Sequence, residues 1–164
     1  MKTLLLIRHA KSDWDDPSLR DFDRPLNERG KQDAPRMARR LLDKKIAVDA
    51  FISSPAKRAR KTAEFFAKAF GREKEDILFF ESLYLAPAPV FFEVINGISD
   101  DYDCIAVFSH NDGITDFANM LTDARIDNIP TCGIFAIKSD TKTWKDFDGS
   151  GNHFYFFDYP KSGG

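Results

Sequence analysis

Two histidines and two arginines, each just past the end of an apolar run, carry the chemistry open to this sequence. Arg8-His9 follows Thr3-Leu4-Leu5-Leu6-Ile7, Ser109-His110 follows Ile105-Ala106-Val107-Phe108, and Ser53-Ser54-Pro55-Ala56-Lys57-Arg58 follows Ala50-Phe51-Ile52. Short apolar runs that break into polar residues read as buried strands, and open α/β sheets bind their ligands outside the carboxyl ends of such strands. If the three strands are parallel neighbours, residues as distant in sequence as Arg8 and His110 meet in one pocket. Arginine offers a rigid fork of donors that matches the oxygens of a phosphoryl dianion. One imidazole can attack phosphorus while the other donates to the charge that builds on its oxygens. A single strand-end His or Arg reads as an ordinary surface or hinge residue; three such clusters together point to phosphoryl chemistry.

The elements that must position these groups are legible in turn. Residues 11–26 form a polar loop holding Pro17 and Pro25, long for a plain connection and therefore expected to be functional. Ala34, Met37, Ala38, Leu41 and Leu42 fall at helical spacing behind Asn27 as the cap, with Arg36, Arg39 and Arg40 outward. Pro35 predicts a kink in that helix or a start near Asp33. After the strand at 50–53, Ser54 is expected as N-cap with Pro55 at the first helical position, and Ala59, Thr62, Ala63, Phe66, Ala69 and Phe70 as the inner stripe up to Gly71. Arg58 then sits in the opening turn, where free amides favour an anion. Lys57, Arg60 and Lys61 read as a solvated face. A short strand at 77–80, a helix built on Phe91, Val94, Ile95 and Ile98, the strand at 104–108, and a helix capped by Asn111 or Asp112 with Ile114, Phe117, Ala118 and Leu121 inward follow. Strands at 133–138 and 154–159 close the chain. Repeated βα units ending in two strands predict an α/β fold, a three-layer α/β/α sandwich around a mostly parallel central sheet.

Bulk properties narrow the partners. The 164 residues suffice for one hydrophobic core, and a net charge of −2 provides no general field for nucleic acid or an anionic membrane surface. No apolar stretch reaches membrane-spanning length, and the N-terminal run is too short for a signal-peptide core and lacks a small-residue cleavage site. Cys104 and Cys132, each inside an apolar run, read as buried thiols of a reducing compartment. The expectation is a cytoplasmic monomer that uses no metal and no cofactor; no metal-ligand spacing is visible and His153 stands alone.

The motifs resemble those of the histidine phosphatase superfamily, the group of phosphoglycerate mutase-like enzymes. Arg8-His9-Ala10-Lys11-Ser12 is similar to its opening motif, Asp23-Arg24-Pro25-Leu26 with Gly30 to the segment before its first helix, Ser54-Pro55-Ala56-Lys57-Arg58-Ala59 with Thr62-Ala63 to its second arginine motif, and Ser109-His110-Asn111 to its second histidine. The resemblance implies one phosphoglycerate mutase-like domain over residues 1–160, with 161–164 as a flexible tail. It implies His9 as the nucleophile that becomes phosphorylated, Arg8, Arg58 and His110 as the groups that hold the transferring oxygens, and Ser12 as a further phosphate contact.

Departures from the family pattern narrow the substrate. Larger members carry a catalytic Glu two residues after a Leu behind the third strand, whereas here Leu83 is followed by Leu85. Asp15 stands where an Asn is common. Without a placed acid an alkoxide leaves slowly, while an imidazole leaving from phosphohistidine needs far less help. The chain therefore most resembles the SixA-type phosphohistidine phosphatases, acting on a phosphorylated protein such as a histidine phosphotransfer domain. Glu81 and Asp112 are the candidate proton donors. The alternatives are a phosphomonoesterase or mutase acting on a small phosphorylated substrate, and a phosphate-recognition module without turnover.

Overall fold

The computed structural model describes residues 1–162, and every strand anticipated from the apolar runs forms. In chain order the elements are β1 (Lys2–Arg8), α1 (Glu28–Asp43), β2 (Ala50–Ser53), α2 (Lys57–Ala69), β3 (Leu78–Phe79), α3 (Ala88–Asn96), β4 (Cys104–Ser109), α4 (Gly113–Leu121), β5 (Ile134–Ser139) and β6 (Asn152–Asp158). They build a six-stranded sheet of order β3-β2-β4-β1-β5-β6. Its β3-β2-β4-β1 part is parallel, whereas β5 runs antiparallel to β1 and β6 antiparallel to β5. This is the expected α/β architecture, with the three functional strands side by side and β4 in the middle. Their ends are level, since Arg8 pairs with Ser109 and Ser53 with Phe108.

Side chains alternate across a strand, so a sheet covered on both faces needs apolar residues at every position. Strand β1 meets this demand. Leu4 and Leu6 join Ile52, Ile105 and Val107 under α3 and α4, while Leu5 and Ile7 join Phe51, Ala106 and Phe108 under α1 and α2. Both cysteines are buried free thiols. Among the described residues no helix is long and apolar enough to cross a membrane.

Two helix starts differ from expectation. Helix α1 begins at Glu28, directly behind Asn27, whose side chain accepts from Gly30 N at 2.8 Å, and runs through Pro35 rather than starting near Asp33. Pro35 lies on the exposed face, where water can satisfy the carbonyl that its missing N–H leaves free. Gly30 is needed here because a Cβ would stand 2.2 Å from the Lys11 carbonyl oxygen. That close approach ties α1 to the loop leaving β1. Helix α2 begins at Lys57 with Ala56 as its N-cap, not at Pro55 behind Ser54. The Ser54 amide still donates to Phe108 O of β4 at 3.0 Å, which keeps that residue in the sheet and delays the helix. At the far end Arg40 donates to Ser162 O, and Ser162 N to Tyr159 O. Of the tail expected at 161–164, residues 163 and 164 lie outside the described residues.

Candidate active site

The carboxyl ends of β1, β2 and β4 open into a cavity of about 560 Å³ whose wall includes Arg8, His9, Ser12, Arg58 and His110. The four strand-end residues and Ser12 are thus brought together. His9 and His110 are both buried, and their rings lie 5.3 Å apart, centroid to centroid.

His9 Nδ1 lies 2.7 Å from Ala10 O. A carbonyl can only accept, so Nδ1 carries the hydrogen and Nε2 carries the lone pair. Arg58 Nε donates to that Nε2 at 3.4 Å. Thr62 joins the two segments: its hydroxyl accepts from Ala10 N at 2.9 Å and donates to Arg58 O at 2.8 Å. The loop after β1 and the first turn of α2 are therefore locked to each other. His110 Nε2 is 2.7 Å from Ser54 Oγ, and Tyr84 packs edge-on against the His110 ring.

Electrostatics hold both imidazoles neutral. Burial, reinforced by Arg58, Arg8 and Arg24 against the pull of the Ala10 carbonyl, pushes His9 down to about 3. Burial, then His9, Arg58 and Arg8, push His110 down to about 2. A neutral imidazole keeps its nucleophilic lone pair at pH 7. Arg8 Nη1 donates to Ile129 O at 3.0 Å, but Arg8 Nε and His110 Nδ1 are buried with no protein partner. Uncompensated buried donors or acceptors are costly, and these two belong to residues that line one cavity.

The proton-donor candidates do not reach this wall. Glu81, which opens a 3₁₀ turn, is exposed, and Asp112, at the N-cap of α4, is also exposed and makes no side-chain cap bond. The charge of Asp112 is felt at Arg8, where it opposes the desolvation that disfavours the guanidinium. Asp15 is exposed and does not line the cavity either.

Among the lining residues from the long loop that were not singled out for the site, Asp21 and Arg24 are tied to it by hydrogen bonds. Asp21 accepts from Arg58 Nη2 at 2.9 Å, from Tyr84 OH at 2.5 Å and from Arg24 Nε at 3.2 Å, and its backbone oxygen accepts from Arg58 Nη1 at 2.6 Å. Partial burial disfavours its charge, but these hydrogen bonds and the positive charge of Arg58 and Arg24 prevail and hold Asp21 at about 2. Arg24 is buried and donates to Ser12 Oγ at 2.9 Å, so the Ser12 hydroxyl braces a third arginine at the cavity wall. The sequence signals were the unusual length of that loop and, for Arg24, its place in the Asp23-Arg24-Pro25-Leu26 segment.

A cationic cavity built around a neutral, tautomer-locked imidazole is suited to accepting a phosphoryl group. The sequence profile of the histidine phosphatase superfamily (branch 1) matches residues 4–78. An uncharacterised chloroplastic protein of Arabidopsis thaliana is 32% identical over 153 residues, spanning 88% of this chain and 70% of the relative. A structure from Agrobacterium tumefaciens, proposed to be the phosphohistidine phosphatase SixA, is 25% identical, covers 97% of this chain and 98% of its own, and superposes with a TM-score of 0.82. The chain belongs to the histidine phosphatase superfamily. As a histidine phosphatase it is an enzyme acting on a phosphorylated substrate, which sets aside the reading as a recognition module without turnover. The fold is shared more widely. The protein histidine phosphatase SixA complexed with tungstate, 19% identical, covers 96% of this chain and 97% of its own with a TM-score of 0.79. The mycobacterial glucosyl-3-phosphoglycerate phosphatase, 13% identical, covers 97% and 98% with a TM-score of 0.64.

Proposed function

We propose that this histidine phosphatase removes phosphoryl groups from phosphohistidine in a protein, such as a histidine phosphotransfer domain, through a phosphohistidine intermediate on His9. The observation that carries this reading is the lack of a carboxylic acid on the cavity wall. Among the described residues Asp21 is the one carboxylate that lines it, and Asp21 is held ionised by Arg58, Tyr84 and Arg24. Leu85, at the position where larger relatives carry a catalytic Glu, lines the cavity with an apolar side chain. Such a site suits a leaving group that needs little protonation.

In the first step the His9 Nε2 lone pair forms a bond to phosphorus while the substrate's N–P bond breaks. The bonding pair returns to the leaving imidazole, which departs neutral when its other nitrogen already carries a proton. Arg8, Arg58 and His110 donate to the phosphoryl oxygens; Ser12 contributes by holding Arg24 at the wall. In the second step water attacks phosphorus, the Nε2–P bond breaks, the water's proton passes to solvent and inorganic phosphate leaves. His9 returns to its starting tautomer because Nδ1 stays bonded to Ala10 O.

The test is a panel of a phosphorylated phosphotransfer domain, an aryl phosphate and glycerol phosphate, with wild type and His9→Ala. The expected order of kcat/KM is phosphohistidine, then aryl, then alkyl phosphate, with all three lost in the variant. Faster turnover of the alkyl phosphate would support the second reading, a phosphatase or mutase of small molecules. That reading is favoured by one observation, the shared fold of glucosyl-3-phosphoglycerate phosphatase.

A further inference from the structure

Trp14 lines the same cavity as His9, Arg58 and His110, yet 74% of it is exposed. One face of the indole rests on Arg24, whose Cζ lies 3.3 Å from the ring centroid. Arg24 is itself pinned by Ser12 Oγ, Asp13 O and Asp21 Oδ1. The ring thus has a rigid seat, and the rest of its surface is bare. An indole does little for a phosphoryl oxygen, since its single donor is the ring N–H. Its asset is a broad flat apolar face.

A second large apolar side chain on this wall is equally uncovered. Leu85 is 54% exposed and is held at a φ of 51°, a backbone conformation uncommon for a non-glycine residue. Pro130 also lines the cavity. The buried part of the wall is polar and cationic, while the exposed part presents Trp14 and Leu85 as its large apolar side chains beside the polar Lys11 and Asn128.

In-line displacement decides which part of a substrate meets which part of the wall. The leaving atom lies across phosphorus from the nucleophile. With His9 buried at the floor, the leaving group points towards the exposed residues, Trp14 and Leu85. We propose that Trp14, assisted by Leu85, is the contact surface for a flat heteroaromatic leaving group. The enzyme thereby favours phosphoryl groups carried on a ring, such as the imidazole of phosphohistidine, over those carried on a small acyclic group. This inference rests on the phosphohistidine reading and adds a residue that reads the leaving group itself.

Phosphoimidazole and phosphoramidate share a P–N bond and differ in the ring, so they isolate the contact. Trp14→Ala is expected to lower the ratio of kcat/KM for phosphoimidazole to that for phosphoramidate about tenfold, the size of a good aromatic contact, and Trp14→Phe to restore most of it. An equal fall on both substrates would assign Trp14 only the support of Arg24 and overturn the proposal, as would no fall on either. A second measurement needs no turnover. Trp144 is fully buried, so iodide quenching of the fluorescence reports on Trp14. Phenylphosphonate should protect Trp14 and methylphosphonate should not; equal protection by both overturns the proposal. If wild type instead hydrolysed glycerol phosphate faster than phosphoramidate, the phosphohistidine reading would fail, while the phosphonate pair would still decide whether Trp14 receives a ring.

Discussion

Strand β1 carries a cation at each end, Lys2 buried and Arg8 half-buried, and the two are treated in opposite ways. At its amino end Lys2 Nζ donates to Asp100 O at 2.8 Å, to Tyr102 O at 3.1 Å and to Asp103 Oδ1 at 3.0 Å, and it lies over the Trp144 ring. At its carboxyl end Arg8 has a hydrogen bond from Nη1 to Ile129 O, while its buried Nε has none. A charge supplied with all its acceptors belongs to the scaffold, whereas one left short is positioned for a partner that arrives later. The contrast separates stability from function within one element.

The largest effect expected is on turnover at the under-supplied end. His9→Ala should lower kcat by at least about ten-thousand-fold, the scale for removing a nucleophile, while the melting temperature stays near that of wild type. A phosphoenzyme still trapped from an aryl phosphate in this variant would contradict the assignment. Arg8→Ala should cost about a hundred- to a thousand-fold in kcat/KM, typical of a lost oxyanion donor, with little loss of stability, because the lost Nη1 bond to Ile129 O is offset by removal of the unpartnered Nε. A clear drop in denaturant midpoint would place Arg8 in the scaffold beside Lys2.

Acid should also act first at the carboxyl end. Unfolded histidines bind protons near pH 6.5, whereas burial holds His9 at about 3 and His110 at about 2. Between these limits the unfolded chain holds more protons, so stability is complete above about pH 6.5 and falls as pH drops, by about 1.4 kcal/mol per histidine per pH unit. Asp21, held at about 2, adds a loss in the same direction between its unfolded value and pH 2. Denaturant titrations at several pH values should show this slope, and His110→Asn should flatten it.

Lys2→Met probes the satisfied end. Leaving its carbonyl acceptors without a donor should cost about 2 kcal/mol of stability with kcat/KM unchanged, the reverse of the Arg8 result. The smallest effect expected is a gain. Leu85→Glu should raise turnover of an alkyl phosphate about tenfold by placing an acid on the cavity wall, and lower that of phosphohistidine, whose ring loses the apolar Leu85 contact. No gain on the alkyl phosphate would mean that leaving-group protonation does not limit this site.

Much of this was legible from residue order. The apolar runs located β1, β2 and β4, and the polar residues that follow each run pointed to Arg8, His9, Arg58 and His110, which line one cavity, because a buried strand and the polar break behind it both leave a local signature. Helix starts were less legible. Ser54 has the composition of an N-cap, but its amide is taken by β4 and its hydroxyl meets His110, contacts made with a strand more than fifty residues away.

The sequence by itself determined which side chains could handle a phosphoryl group and that they lie at strand ends, since hydrophobic periodicity and the break that follows it are local properties. Only the tertiary structure decided which carboxylate would share their cavity. Residues 11–26 have no periodicity, and nothing local indicates that Asp21 and Arg24 fold back to the wall while Glu81 and Asp112 do not line it. Strand order and loop path made that choice, because a long polar loop is held by what it meets across the sheet edge, here Arg58 and Tyr84, rather than by its own sequence.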